Sequence, residues 1–251
     1  MPGIRWDPTQ YARFADERGR PFFDLLSRVA AESPRVVVDL GCGPGDLTVT
    51  LASRWPDAEV RGIDASPEMI AAAPPGATFS VGVAEDFDAT GVDVLVANAV
   101  LQWVPSHREL LERWARQIRG WLAFQVPANF DAPSHVLMRS LASSPRWRER
   151  LDGVLRGTES VDAPDAYLDR LVHAGLAVEA WQTEYLHVLP GDDPVLDWVR
   201  GTGLRPVLDA LRPAEADEFC AAYAALLREA YPPRPYGTVF PFRRTFVVAR
   251  R

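Results

Sequence analysis

The chain has 251 residues, 47% hydrophobic and 24% charged, a balance normal for a soluble globular protein. A formal net charge of −7, with no run of Lys or Arg, excludes the basic face that a nucleic-acid backbone requires. Cys42 and Cys220 give neither a disulfide framework nor metal-ligand spacing, and no apolar stretch reaches the ~18 residues of a membrane span. The expectations are therefore no metal, no nucleic acid, no membrane and a cytoplasmic location.

Residues 1–34 open with Trp6-Asp-Pro8 and continue with apolar positions at helical spacing, from Tyr11 and Phe14 to Phe22, Leu25, Leu26 and Val29. Arg18-Gly-Arg20-Pro21 interrupts the pattern, and Pro21 can start a helix, so two helices with a joint are expected. This arm either closes over a ligand or packs on a sheet edge.

Val36-Val-Val-Asp-Leu is a β-branched apolar run, as expected of a strand buried on both faces. It ends in Gly41-Cys-Gly43-Pro-Gly45, and a helical segment follows. Glycines at such a turn allow a tight bend and a close ligand approach. A dinucleotide fingerprint would need a glycine at position 46, where the chain has Asp46. The G-x-G-x-G form, with Asp39 ahead of it, resembles the first motif of class I S-adenosylmethionine (SAM)-dependent methyltransferases. That resemblance implies a turn packed against the methionine and ribose of SAM.

A second strand, 59–64, ends in Asp64, where a carboxylate can accept two hydrogen bonds from a ribose diol. Ala65 follows it, and Ser66 before Pro67 reads as an N-cap. Met69 then faces an adenine ring or fills the core. After a third strand, 78–81, Val83 stands where the methyltransferase pattern commonly has an Asp. Ala84 through its N–H, and Glu85 or Asp86, are left to meet adenine. The fourth strand, 92–98, places Asn98 at a carboxyl end, where open α/β sheets bind ligands. Gln102 and Trp103 add N–H donors at that edge, and His107 reads as a surface histidine. A helix over 106–118 leads to a fifth strand, 120–126.

The loop 127–133 precedes a helix that Ser134 is expected to cap. On it, His135 and Arg139 share a face, either in a substrate lid or as a solvated surface. A helix over 164–174, a strand over 178–188, a helical insertion and a last strand over 244–250 complete the pattern. The expected fold is α/β: one domain over 1–251 with a doubly wound, seven-stranded Rossmann-like methyltransferase sheet, its last strand antiparallel. Residues 1–34 form a helical arm, and 127–165 and 190–235 form helical lid insertions.

Trp6-Asp-Pro8, Tyr11, Phe14, Glu17-Arg18, Arg20-Pro21, Asp39 to Gly45, Gly62-Ile-Asp64, Leu101-Gln-Trp103, His135 to Arg139, Thr202 to Pro206 and Phe246 to Arg250 together resemble the trans-aconitate methyltransferase family. Val83, the Arg243-Arg244 pair and the composition of 145–160 depart from its pattern. The resemblance implies methyl transfer from SAM to one carboxylate of a small tricarboxylic acid, giving a monomethyl ester and S-adenosylhomocysteine. It implies a cofactor site of Asp39, Gly41, Cys42, Gly43, Gly45, Asp64, Ala65, Met69, Ala84, Glu85 and Asn98, with Arg20 serving cofactor or substrate. Arg139, Arg205 and Arg244 would hold spectator carboxylates, with Tyr11, Gln102, Trp103 and His135 near the reacting oxygen. No catalytic acid or base is expected, because a carboxylate is already ionised at neutral pH. A monomer is expected, with a dimer as the alternative. The competing readings are a methyltransferase for another small acid or natural product, and a SAM-binding protein without turnover.

Overall fold

The computed structural model describes residues 15–251. Tyr11, with Trp6 and Phe14, lies outside the described residues.

Eight strands form one sheet: β1 (Val36–Leu40), β2 (Glu59–Asp64), β3 (Thr78–Val81), β4 (Val94–Asn98), β5 (Trp121–Pro127), β6 (Ala177–Leu189), β7 (Pro233–Arg234) and β8 (Gly237–Arg250). The main path is β3-β2-β1-β4-β5-β8-β6, with β7 added to β8 as a short hairpin. Strands β1 to β5 are parallel, and β8 runs antiparallel to both β5 and β6. The expected seven-stranded arrangement is therefore present. Strand order reverses between β1 and β4, and a crevice opens there at the carboxyl ends.

The last strand is longer than its apolar run suggests. Residues 244–250 face β5 and β6 and are buried continuously up to Ala249, whereas 237–243 alternate between buried and half-buried. This front half, paired with 184–189 of β6, projects beyond the end of β5 as a two-stranded ribbon. Pro241 is accommodated because the ribbon has a partner on one side only at that point.

Helices α1 (Ala15–Leu26), α2 (Thr48–Arg54), α3 (Pro67–Ala71), α4 (His107–Gln117) and α7 (Pro164–His173) flank the sheet. Helix α1 runs through Pro21 without the expected joint. Burial of Phe22, Leu25 and Leu26 against the sheet outweighs the hydrogen bond that Pro21 cannot make. The remaining helices, α5 (Pro133–Ala142), α6 (Arg148–Leu151), α8 (Pro194–Arg200), α9 (Arg205–Ala210) and α10 (Pro213–Ala230), pack on the ribbon around a separate apolar core that includes Trp147, Trp198, Phe219, Tyr223 and Phe240.

Two local expectations change and one holds. Ser134 is not the cap of α5: Ala132 is, with Pro133 in the first turn. Ser134 is buried, its N–H donating to Tyr231 and its carbonyl accepting from Tyr223, which ties α5 to α10. His107 is not on the surface; it is 1% exposed, with Nδ1 2.8 Å from the Val104 carbonyl and Nε2 3.0 Å from the Tyr167 hydroxyl. Ser66 does cap α3, accepting from the Met69 N–H at 3.2 Å. Among the described residues no helix is long and apolar enough to cross a membrane.

Candidate functional site

Two cavities open above the carboxyl ends of β1, β2, β4 and β5, and they share a wall made by Asn98, Ala99 and Trp103.

The first lies over β1 and β2. Gly41, Gly43, Asp64, Ala65, Met69, Val83, Ala84 and Glu85 line it, as well as Asn98. The turn is held by hydrogen bonds from the Gly41 and Cys42 N–H groups to the Ile63 carbonyl, at 2.7 and 3.1 Å. Asp64 accepts from the Gly43 N–H and the Ser66 N–H, both at 2.9 Å, so the carboxylate fixes the turn while presenting an edge to the cavity. Gly43 has φ +56° and no atom within 4 Å of where a Cβ would stand. Only a glycine leaves that space open without backbone strain.

Four expected cofactor residues do not line this cavity. Asp39 is 2% exposed and turned into α2, where Oδ2 accepts from Thr48 Oγ1 at 2.6 Å and Oδ1 has no hydrogen-bond partner among the described residues. Burial raises its pKa to about 6. The Cys42 thiol faces Gly62, away from the cavity, and burial pushes its pKa up. At Gly45 a Cβ would meet the Phe79 ring at 2.5 Å, as it would at Gly62, so these two glycines admit Phe79 from β3. Arg20 is exposed, 3.8 Å from Asp24 and 5.2 Å from the centroid of the Tyr185 ring.

The second cavity lies between the sheet and the ribbon-packed helices. Of the expected substrate residues, Gln102, Trp103, His135, Arg139 and Arg244 line it. Arg139 donates through one nitrogen to the Phe130 carbonyl at 2.6 Å, while Nη1 is buried without a hydrogen-bond partner among the described residues. Arg244, 4% exposed, donates to Gln125 Oε1 at 3.1 Å. Burial and the charges of Arg139 and Arg156 push the His135 pKa down to about 4, so its imidazole is neutral near pH 7. Gln102 is buried, with one N–H of its amide given to the Ala99 carbonyl at 2.6 Å and its acceptor, Oε1, left without a partner among the described residues.

Arg205 is not part of this wall. Thr202, Gly203 and Pro206 are, whereas Arg205, the first residue of α9, does not line it. Arg156 takes its place and was not anticipated. Its guanidinium carbon lies 3.5 Å from the Trp103 ring centroid, and Nη1 donates to the Gln102 carbonyl at 2.5 Å. Burial lowers its pKa to about 10, so it stays charged near pH 7. The available signal was an arginine placed directly after the apolar positions Leu151, Val154 and Leu155.

A family model described as "Methyltransferase domain" matches residues 11–179. The trans-aconitate 2-methyltransferase of Rhodococcus jostii (strain RHA1) is 56% identical over 252 residues, which cover 98% of this chain and 99% of that one. The enzyme of the same name from Streptomyces coelicolor is 54% identical, covering 98% and 86%. The solved YcgJ protein of Bacillus subtilis is 13% identical with a TM-score of 0.56, covering 94% of this chain and 98% of that one, a likeness of fold. The chain belongs to the trans-aconitate 2-methyltransferase family of SAM-dependent methyltransferases.

Proposed function

We propose that this protein transfers the methyl group of SAM to one carboxylate of trans-aconitate, giving the monomethyl ester and S-adenosylhomocysteine. The observation that carries the reading is the wall shared by two cavities of opposite character. One is built on a glycine turn and a strand-end carboxylate; the other gathers the guanidinium groups of Arg139, Arg156 and Arg244.

The residues of the first cavity fit SAM. Gly43 leaves open space beside the backbone, Asp64 offers a carboxylate edge for ribose hydroxyls, and Met69, Val83 and Ala84 give an apolar face for adenine. Behind the turn, Asp39 Oδ1 is a buried acceptor without a partner among the described residues, suited to a water. When bound, SAM supplies an electrophilic methyl group on a sulfonium.

The residues of the second cavity do the rest. Arginine forks match carboxylates in geometry and charge, and three of them suit a tricarboxylate. The reacting oxygen attacks with a lone pair it already has. The new O–C bond forms as the S–C bond breaks, the bonding pair stays on sulfur, and no proton moves. A base is not needed, and His135, with a pKa of about 4, would serve a hydroxyl acceptor poorly. Alignment and exclusion of water then carry the rate, with orientation contributing roughly 7–11 kcal/mol. In this reading segments 127–165 and 190–235 are the lid over the acid, and the enzyme acts as a cytoplasmic monomer.

The test is a methyl-transfer assay with SAM against a panel of small di- and tricarboxylic acids, products read by mass. Rapid monomethyl ester formation from trans-aconitate is expected. Turnover of a different acid, or of none with SAM still bound, overturns the reading.

A further inference from the structure

A chain of hydrogen bonds with only one possible direction runs from the acid cavity to the shared wall. Asn98 and Gln125 are register partners on β4 and β5, and Arg244 lies diagonally across β8, so all three side chains leave one face of the sheet. Arg244 Nη1 donates to Gln125 Oε1 at 3.1 Å, and Gln125 Nε2 donates to Asn98 Oδ1 at 2.7 Å. Gln125 is fully buried, so water does not compete for either end of its amide.

The direction follows from the inventory of donors. A guanidinium has no acceptor, so Gln125 must turn its oxygen to Arg244 and its nitrogen to Asn98. Asn98 must then give its oxygen to Gln125. Its NH₂ group is left facing away from Gln125, on a residue that borders both cavities, and no acceptor among the described residues takes it.

We propose that Gln125 is a positioning residue that locks the Asn98 amide, making Asn98 the neutral donor that holds the non-attacking oxygen of the reacting carboxylate. This rests on the carboxyl-methylating reading above. A neutral donor suits that place. Carboxylate charge disappears as the ester forms, so a guanidinium there would stabilise the ground state more than the transition state. One N–H of the Gln102 amide is already given to the Ala99 carbonyl, whereas no described acceptor takes either N–H of Asn98. The chain also joins Arg244, a holder of spectator carboxylates, to the group that aims the reacting one.

The experiment compares Gln125→Met, Asn98→Ala and the double variant with the wild type. Gln125→Met should lower kcat with trans-aconitate by about tenfold or more. The SAM dissociation constant by calorimetry should stay within about twofold, and the Asn98 side-chain amide signals should shift in ¹⁵N-Asn-labelled protein. The double variant should be no slower than Asn98→Ala by more than about twofold, because Gln125 acts through Asn98. If Gln125→Met fails to fold, Gln125→Glu replaces it: the carboxylate keeps the Arg244 bond but offers Asn98 only an acceptor, which turns the amide round and should also lower kcat. Additive losses, or wild-type kcat in Gln125→Met or Gln125→Glu, overturn the assignment while leaving the acceptor reading intact. A wild type that binds SAM but methylates no carboxylic acid overturns both.

Discussion

The guanidinium of Arg156 stacks 3.5 Å above the Trp103 ring, and that ring belongs to both cavities. The stack, with the bond to the Gln102 carbonyl, fixes a half-buried cation at the edge of the shared wall. Lysine keeps the charge but loses the planar stack and the fork. Arg156→Lys should therefore raise the Michaelis constant for trans-aconitate about tenfold, and Arg156→Ala about a hundredfold, as for the loss of a charge-assisted bond of roughly 1.5–3 kcal/mol. SAM affinity should change by less than about threefold. Steady-state kinetics with each substrate varied in turn separates the two constants.

Two glycines of one turn should respond differently to alanine. At Gly43 a Cβ meets no atom, so Gly43→Ala should cost only about 1–2 kcal/mol of backbone strain while placing a methyl at the cofactor cavity. At Gly45 a Cβ would lie 2.5 Å from Phe79 and the backbone is also at φ +85°, so Gly45→Ala should destabilise the fold more. Urea unfolding together with SAM calorimetry should show a folded, weakly binding Gly43 variant and a markedly less stable Gly45 variant.

Asp64 combines a ligand edge with two backbone bonds, to Gly43 and Ser66. Asp64→Ala should weaken SAM binding and also lower unfolding stability by about 1–3 kcal/mol, since two N–H groups lose a charged acceptor. A variant of unchanged stability would show that the turn holds its shape without the carboxylate.

Asp39 gives a pH-dependent expectation. Its carboxyl moves from an ordinary 3.8 to about 6 in the folded protein. Between those values the folded state holds the proton and the unfolded state releases it, so stability falls as pH rises through this window. The full cost, on the order of 3 kcal/mol, is present above about pH 6. Asp39→Asn carries no such charge. The variant should be more stable than the wild type above pH 6, and the gap should close towards pH 4. Thermal unfolding of ligand-free protein across pH 4–8 tests this; a gap independent of pH would mean Asp39 is not the titrating group.

The parts of the site legible in the sequence are those dictated by short-range backbone chemistry. The run from Val36 to Leu40, the glycine turn and Asp64 declare themselves because strand burial, positive φ and a strand-end carboxylate each demand particular residue types. Side-chain direction was less legible. Asp39 and Cys42 stand beside cavity-lining residues in sequence yet point into helix and sheet. Arg205 and Arg156 each follow a leucine in sequence, and only packing on the β6–β8 ribbon decides which reaches the cavity. The length of β8 was hidden because its front half alternates around Pro241 and has no continuous apolar run. Gln125 offered no signal either: a glutamine inside an apolar strand gains meaning only once Asn98 and Arg244 are found beside it.

The common wall of Asn98, Ala99 and Trp103 bears on inhibitor design. One molecule carrying an adenosyl group and a polycarboxylate on a linker of a few atoms would occupy both cavities at once. Capture of either end would present the other at millimolar effective concentration or above. Its affinity would then exceed that of each half by orders of magnitude. An equally tight ligand with a longer linker would lose that advantage, so the dependence of affinity on linker length would serve as a ruler for the thickness of the wall.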